Sequence, residues 1–181
     1  MITLRIAGGK HVWDEVKEEF IEIPSATVRM EHSLRAISKW EAHYRKPFLG
    51  RKFKPGEMLF YCRCMCVDEG VSPLVFYGLT RQQMEAVQEY INLPMTATWF
   101  AEDKERKPRK REIITSELVY FWMSSYGIDW QAQDWHFNRL MTLIRVCAEK
   151  SKPPKKVPKG KSLAQRKALN AARRQRMNSR G

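Results

Sequence analysis

The sequence predicts an α+β fold that is mainly α. We expect a small N-terminal antiparallel β-sheet, about five helices and a disordered basic C-terminal tail. Apolar residues alternate with polar ones over the first thirty residues and then recur every three or four positions up to residue 150, typical of strands and then helices. Of the 33 Lys and Arg residues, eleven lie in residues 151–181 without any acid, which leaves +2 of the net charge of +13 to residues 1–150. The predicted domains are therefore a compact body, 1–150, β-rich over 1–30 and helical over 31–150, and a basic tail, 151–181.

The predicted strands occupy three short segments. Ile2, Leu4 and Ile6 alternate with other residues in the first segment. Segments 20–23 and 26–30 continue the same alternation, which is typical of half-buried strands. Gly8-Gly9 and Pro24-Ser25 break the chain between these segments, so we expect a hairpin or a small sheet.

The first two helices are indicated by period and by proline. Apolar residues at helical spacing run from Leu34 to Tyr44, and Pro47 closes that helix. Pro55 suits the first turn of a second helix. The predicted apolar face of this second helix consists of Met58, Leu59, Cys62 and Cys66, with Cys64 pointing the other way.

The third helix has the clearest boundary signals. Thr80 is a good N-cap, and Gln83 three residues later completes a capping box. The predicted buried stripe consists of Met84, Val87 and Ile91, and Pro94 ends the helix. Segment 95–100 then favours a short strand, because it is rich in Thr and aromatic residues. The highly charged segment 102–111 predicts a solvated loop.

Two further helices complete the body. Ile114, Leu118, Phe121 and Trp122 predict one apolar face of the fourth helix, with Gly127 placed to end it. Asp129 is a predicted cap of the fifth helix. The apolar face of this helix is predicted to consist of Phe137, Leu140, Met141, Ile144 and Cys147.

Cysteine and histidine give no catalytic signature. Cys62, Cys64 and Cys66 follow a C-x-C-x-C pattern, whereas a zinc site needs pairs spaced by two to four residues. Packing of free thiols is therefore favoured over metal or redox use, and a reduced intracellular setting is expected. None of His11, His32, His43 and His136 belongs to a metal or nucleophile motif, and no phosphate-binding glycine loop occurs. We expect no enzymatic activity and no cofactor.

The tail is a candidate polyanion-binding segment. Its cations can neutralise phosphates and release counterions without reading a base sequence. A basic tail can equally keep a protein soluble or contact an acidic protein surface. The candidate contact residues are Lys155, Lys156, Lys159, Lys161, Arg166, Lys167, Arg173, Arg174 and Arg176.

Several segments are more specific than their composition. Segments 30–41, 93–100, 112–123 and 135–147, together with the ending Leu169–Arg174, resemble a family of tail assembly chaperones of tailed bacteriophages. The resemblance implies a protein that binds the tape-measure protein in the host cell cytoplasm during phage assembly. A chaperone of this kind needs apolar surface that a partner covers. The candidate partner-binding residues are Phe121, Trp122, Tyr126, Trp130 and Trp135.

Two other classes of function remain open. A structural virion protein, in the head or at the head–tail connector, would use the basic tail to contact packaged DNA. A nonspecific nucleic-acid-binding regulator would use the tail alone. No apolar run approaches the ~20 residues of a membrane-spanning helix, and the N-terminal apolar run is too short for a signal peptide.

Overall fold

The computed structural model describes residues 1–15, 18–100, 112–152, 167–171 and 173–174. Its α+β, mainly α architecture confirms the predicted fold class. The helices α1–α5 follow four strands, and two 3₁₀ helices flank α3 and α4. The elements in order are β1 Ile2–Ile6, β2 His11–Asp14, β3 Glu19–Glu22, β4 Ala26–Met30, α1 Leu34–Tyr44, α2 Pro55–Met65, a first 3₁₀ helix Pro73–Gly78, α3 Arg81–Asn92, α4 Ser116–Ser125, a second 3₁₀ helix Trp130–Asp134 and α5 Phe137–Lys150.

Contacts along the chain divide it into two compact units, Met1–Cys147 and Ala148–Gly181. In the second unit, residues 167–171 and 173–174 are helical and exposed. Alanine, leucine and arginine favour this conformation there. The rest of the predicted disordered tail and the predicted loop 102–111 fall outside the described residues, apart from residues 151 and 152, which form a turn.

The strands form two antiparallel pairs near the N-terminus. β1 pairs with β4, Ile2 facing Met30 and Ile6 facing Ala26, and β2 pairs with β3. Because side chains alternate across a strand, the first pair places Ile6, Val28 and Met30 on the core side. Residues 65–67 continue along β4, where the amide of Val67 donates to the carbonyl of Arg29 over 3.0 Å. The β1–β4 pair is thus joined to the end of α2 through β4, while β1 packs against α3 and the first 3₁₀ helix.

α1 is the central helix of the body. Ser33 caps it by accepting a hydrogen bond from the amide of Ala36 over 3.2 Å. Trp40 is fully buried, and its indole N–H donates to the carbonyl of Glu57 over 3.0 Å. α2 and α4 both pack against α1. The core therefore forms around one tryptophan whose polar atom has a partner.

The predicted face of α2 is corrected by the structure. Cys62 and Cys64 are both buried, so Cys64 does not point away from the core. The reason is that α1 and the first 3₁₀ helix cover α2 on two sides. Cys66 lies beyond the end of α2 and is half-buried beside β4, where it pairs with Met30 in an isolated bridge.

The capping signals of α3 are confirmed. The amide of Gln83 donates to the Thr80 hydroxyl over 3.2 Å, and the amide of Thr80 donates to the Gln83 side-chain oxygen over 3.0 Å. Val87 is fully buried, as predicted. Tyr90 joins it, whereas Met84 and Ile91 are half-buried.

The predicted strand at 95–100 is wrong. This segment is irregular, with positive φ at Met95 and a bend at Ala97. Its start is held by a side chain, because the Asn138 amide nitrogen donates to the carbonyl of Leu93 over 2.7 Å. Among the described residues no strand pairs with it. High β propensity gives a strand only where a neighbouring strand is available for pairing.

Asp129 is a cap, but of a different element. Its carboxylate accepts from the amide of Gln131 over 2.7 Å and begins the second 3₁₀ helix. α5 begins only at Phe137, whose amide donates to the carbonyl of His32 over 2.6 Å. The predicted core face of α5 is right in part: Phe137, Leu140 and Ile144 are buried, whereas Met141 and Cys147 are half-buried.

Candidate functional site

α4 faces the core with a different side from the one its sequence predicts. Ser116, Val119 and Met123 are the buried residues. Phe121 is 64% exposed, and the other residues of the predicted face are only half-buried. That face consisted of Ile114, Leu118, Phe121 and Trp122. Apolar residues occur on nearly the whole circumference of α4, so their period alone does not select the inner side.

A carboxylate of α1 holds the N-terminus of α4. The buried side chain of Glu41 accepts from the amides of Ser116 and Phe48, each over 2.7 Å. Thr115, the residue before α4, makes no side-chain cap of its own. A negative charge at a helix N-terminus is favourable because the first amides are unpaired and the helix dipole is positive there. Glu41 therefore fixes where α4 begins.

The second 3₁₀ helix contacts α4 through Tyr120. The ring of Tyr120 stacks on that of Trp130, with centroids 5.5 Å apart. The Tyr120 hydroxyl donates to the Gln133 side-chain oxygen over 3.0 Å. Trp130 remains 56% exposed, because Tyr120 covers only one of its faces. We call Leu118, Phe121, Trp122 and Trp130 the α4 aromatic surface.

The five predicted partner-binding residues are divided by the structure. Phe121, Trp130 and Trp135 are exposed, whereas Trp122 and Tyr126 are half-buried and pack partly against the core. Trp135 differs from the other two exposed rings, because the Arg139 guanidinium carbon lies 4.3 Å from its ring centroid. Trp130 stacks on an uncharged ring, that of Tyr120, while Trp135 shares its surroundings with a cation.

Several exposed aromatic residues were missed at the sequence level. Trp99 is 91% exposed, and the next residue, Phe100, lies under the Arg145 guanidinium at 4.0 Å. Trp13 and Phe20 form an edge-to-face pair on the β2–β3 hairpin, with centroids 5.0 Å apart. The aromatic content of segment 95–100 is typical of a strand. Composition carried no sign that these rings are exposed.

The candidate polyanion residues lie only partly within the described structure. Lys167, Arg173 and Arg174 are exposed on the short helical stretch of the second unit. Clustered exposed cations suit a phosphate-bearing partner. The remaining candidates, Lys155, Lys156, Lys159, Lys161, Arg166 and Arg176, lie outside the described residues.

Two buried histidines link α5 to the rest of the body. Nδ1 of His32 lies 2.5 Å from the Tyr61 hydroxyl, and Nε2 of His136 lies 3.1 Å from the Tyr90 carbonyl oxygen. Their rings meet edge to face, with centroids 5.1 Å apart. Burial, and then the neighbouring His136, lowers the pKa of His32 to about 3. Burial likewise lowers the pKa of His136. Both rings are neutral at pH 7 and brace the start of α5.

The cysteines are packed side chains. Burial raises the pKa of Cys62 to about 12 and that of Cys64 to about 11. A protonated thiol is a poor nucleophile and a poor metal ligand. Sγ of Cys62 instead contacts Sδ of Met84 at 3.9 Å. The C-x-C-x-C pattern therefore fills space between α2 and its neighbours.

Metal sites, membrane-spanning helices and similarity to known proteins also bear on function. Among the described residues, no three His, Cys, Asp or Glu side chains are grouped so that they could hold a metal ion. In the same part of the chain, no helix has the length and apolar character needed to cross a membrane. Comparisons with protein-family models, curated proteins and solved structures found no match to this chain.

Proposed function

We propose that the chain is a non-enzymatic tail assembly chaperone of a tailed bacteriophage, which binds the tape-measure protein in the host cytoplasm. The resemblance of four sequence segments to that family supplies the class of partner. The observation that carries the proposal is the outward apolar side of α4, on which Phe121 is 64% exposed. A tape-measure protein is long and helical in that family, so it offers apolar helix faces to cover.

The physics of the α4 aromatic surface supports this role. Exposed large rings are unfavourable in water, and covering them contributes roughly 25 cal/mol per Å² of apolar area. The few residues that dominate the binding energy of protein interfaces are also enriched in tryptophan and tyrosine. Trp130 is pre-positioned by its stack on Tyr120, so little side-chain entropy is lost when a partner covers it. The surface is therefore suited to an apolar helix.

Co-expression tests the proposal. The full chain is produced with the tape-measure protein encoded in the same genome, and the soluble, co-purifying tape-measure protein is quantified. Replacing Phe121 and Trp130 together with Ser should lower this yield at least tenfold, because each lost anchor costs about 2 kcal/mol of binding. Equal yields from this variant and the wild type would contradict the proposal.

A matched control distinguishes the α4 aromatic surface from exposed rings in general. Trp13 and Phe20 are also exposed, on the β2–β3 hairpin. Replacing them together with Ser should leave the yield within twofold of the wild type. An equal loss with this control would mean that any exposed aromatic pair serves, which contradicts a specific role for α4. Circular dichroism shows whether either variant has lost its fold.

A second candidate function rests on the tail. Exposed Lys167, Arg173 and Arg174 on a helical stretch favour contact with a polyanion, as in a structural virion protein that contacts DNA. Mass spectrometry of purified virions separates the two candidates. A chaperone leaves the assembled tail, so stoichiometric retention of the chain in virions would favour the structural role.

A further inference from the structure

The outward side of α5 carries two arginines that are each stacked on an aromatic ring. Arg139 covers Trp135, and Arg145 covers Phe100, with guanidinium carbons 4.3 and 4.0 Å from the ring centroids. Both arginines are exposed. Neither guanidinium forms an ion pair with a carboxylate within the described ranges. Within the described residues, these two exposed cations therefore stack on rings and have no carboxylate partner.

The neighbouring chain brings a third aromatic residue, adjacent in sequence to the ring that Arg145 covers. Segment 93–100 runs along α5, because Asn138 binds the Leu93 carbonyl near one end and Arg145 covers Phe100 at the other. At 1.5 Å per residue, the helix between Asn138 and Arg145 spans about 10 Å. Trp99 precedes Phe100 and is 91% exposed. We call Trp99, Phe100, Trp135, Arg139 and Arg145 the α5 cationic surface.

The chemistry of this surface fits one class of ligand. A guanidinium stacked on a ring keeps the N–H donors of its edge free, and phosphate oxygens accept from such donors in pairs. An exposed indole gives a π-face on which an unpaired base stacks. A duplex keeps its bases stacked on one another, and the carboxylates of an acidic peptide are repelled by the negative π-face of an indole.

We propose that the α5 cationic surface binds single-stranded nucleic acid. Arg139 and Arg145 bind phosphates, and Trp99 stacks on a base. The site lies in the folded body and does not include the α4 aromatic surface, so it is independent of tape-measure binding. It is also separate from the polyanion contacts predicted for the tail.

Binding of a short fluorescent oligothymidylate to the full chain tests the phosphate contacts by anisotropy. The double variant R139A/R145A should bind about tenfold more weakly than the wild type, because two charge-assisted contacts are lost. The control variant R63A/R81A removes two other exposed arginines and leaves the tail intact. It should bind within twofold of the wild type. Equal losses in the two variants would overturn the proposal, since net charge alone would then set the affinity.

An abasic oligomer of the same length tests the stacking contact. Wild type should prefer oligothymidylate to the abasic strand by roughly tenfold, the usual contribution of one stacked base. Replacing Trp99 with Ala should abolish that preference, whereas replacing Trp130 with Ala should retain it. Equal binding of both strands by the wild type would overturn the proposal. Equally strong displacement of the oligomer by a polyglutamate peptide of matched charge would overturn it too, and would assign the surface to an acidic protein partner. Circular dichroism checks the fold of each variant.

Discussion

α4 and α5 are two helices of the body whose orientations were predicted with opposite success. The buried side of α5 matches its apolar period, with Phe137, Leu140 and Ile144 in the core. The buried side of α4 does not, and Phe121 faces out. α5 has polar residues such as Arg139 and Arg145 on its other side, whereas α4 has a nearly continuous apolar run from Leu118 to Met123. The spacing of apolar residues therefore predicts the buried side of a helix only where the opposite side is polar.

The two helices also differ in how they are held. α5 is braced by buried histidines and by the hydrogen bond from the Phe137 amide to the His32 carbonyl. α4 is positioned by a single carboxylate, Glu41, at its N-terminus. If this comparison is right, substitutions on the inner sides of both helices should cost more unfolding free energy than substitutions on their outer sides. Acid should destabilise α5 in particular.

The largest expected effect comes from the core of α5. Leu140 is fully buried. Replacing it with Ala should lower the free energy of unfolding by about 3 to 5 kcal/mol, because a cavity remains. Phe121→Ala on α4 should change it by no more than about 0.5 kcal/mol. Urea denaturation measures both values, and similar losses would show that Phe121 is packed.

A pair of substitutions within α4 tests its orientation directly. Met123 is fully buried, whereas Leu118 of the predicted core face is half-buried. Met123→Ala should cost about 2 to 4 kcal/mol of unfolding free energy, and Leu118→Ala about 1 kcal/mol. Chemical denaturation measures both values. A larger loss of unfolding free energy for Leu118→Ala would show that α4 buries the side that the sequence predicts.

Mild acid should destabilise the anchor of α5. The folded pKa of His32, about 3, lies below its unfolded value of 6.5, so the unfolded chain binds more protons and stability falls as pH drops below 6.5. From pH 7 to pH 5 the loss from His32 is about 2 kcal/mol. Hydrogen exchange should show that the amides of α5 lose protection as the pH falls. His32→Gln should reduce the dependence of the unfolding free energy on pH. If this dependence on pH is unchanged in the variant, His32 is not its cause.

The smallest effect concerns the cap of α4. Glu41→Gln replaces one of two accepting oxygens with an NH₂ group and removes the charge. The expected cost is about 1.5 kcal/mol, that of one hydrogen bond to a charged group. Glu117→Gln, an exposed acid in the first turn of α4, should cost no more than about 0.5 kcal/mol. Thermal or urea unfolding that ranks the two variants the other way would contradict a capping role for Glu41.

Local signals were predicted best. The Thr80–Gln83 capping box and the proline at the start of α2 depend on residues at most three positions apart, so the sequence contains the whole interaction. The strand expected at 95–100 failed because a strand needs a partner elsewhere in the chain. The sequence predicts one group of partner-binding residues, yet packing leaves Trp122 half-buried and Phe121 exposed.

By itself, the sequence determined the fold class, the helical positions and the segregation of charge into residues 151–181, because periodicity, caps and composition are local properties. Only the tertiary structure decided which side of α4 faces outward, that Glu41 caps it, and that Arg145 stacks on Phe100. Each of these depends on contacts between distant residues: Glu41 lies 75 positions from Ser116. Interactions over such distances form only once the chain is packed, and no short pattern of residues encodes them.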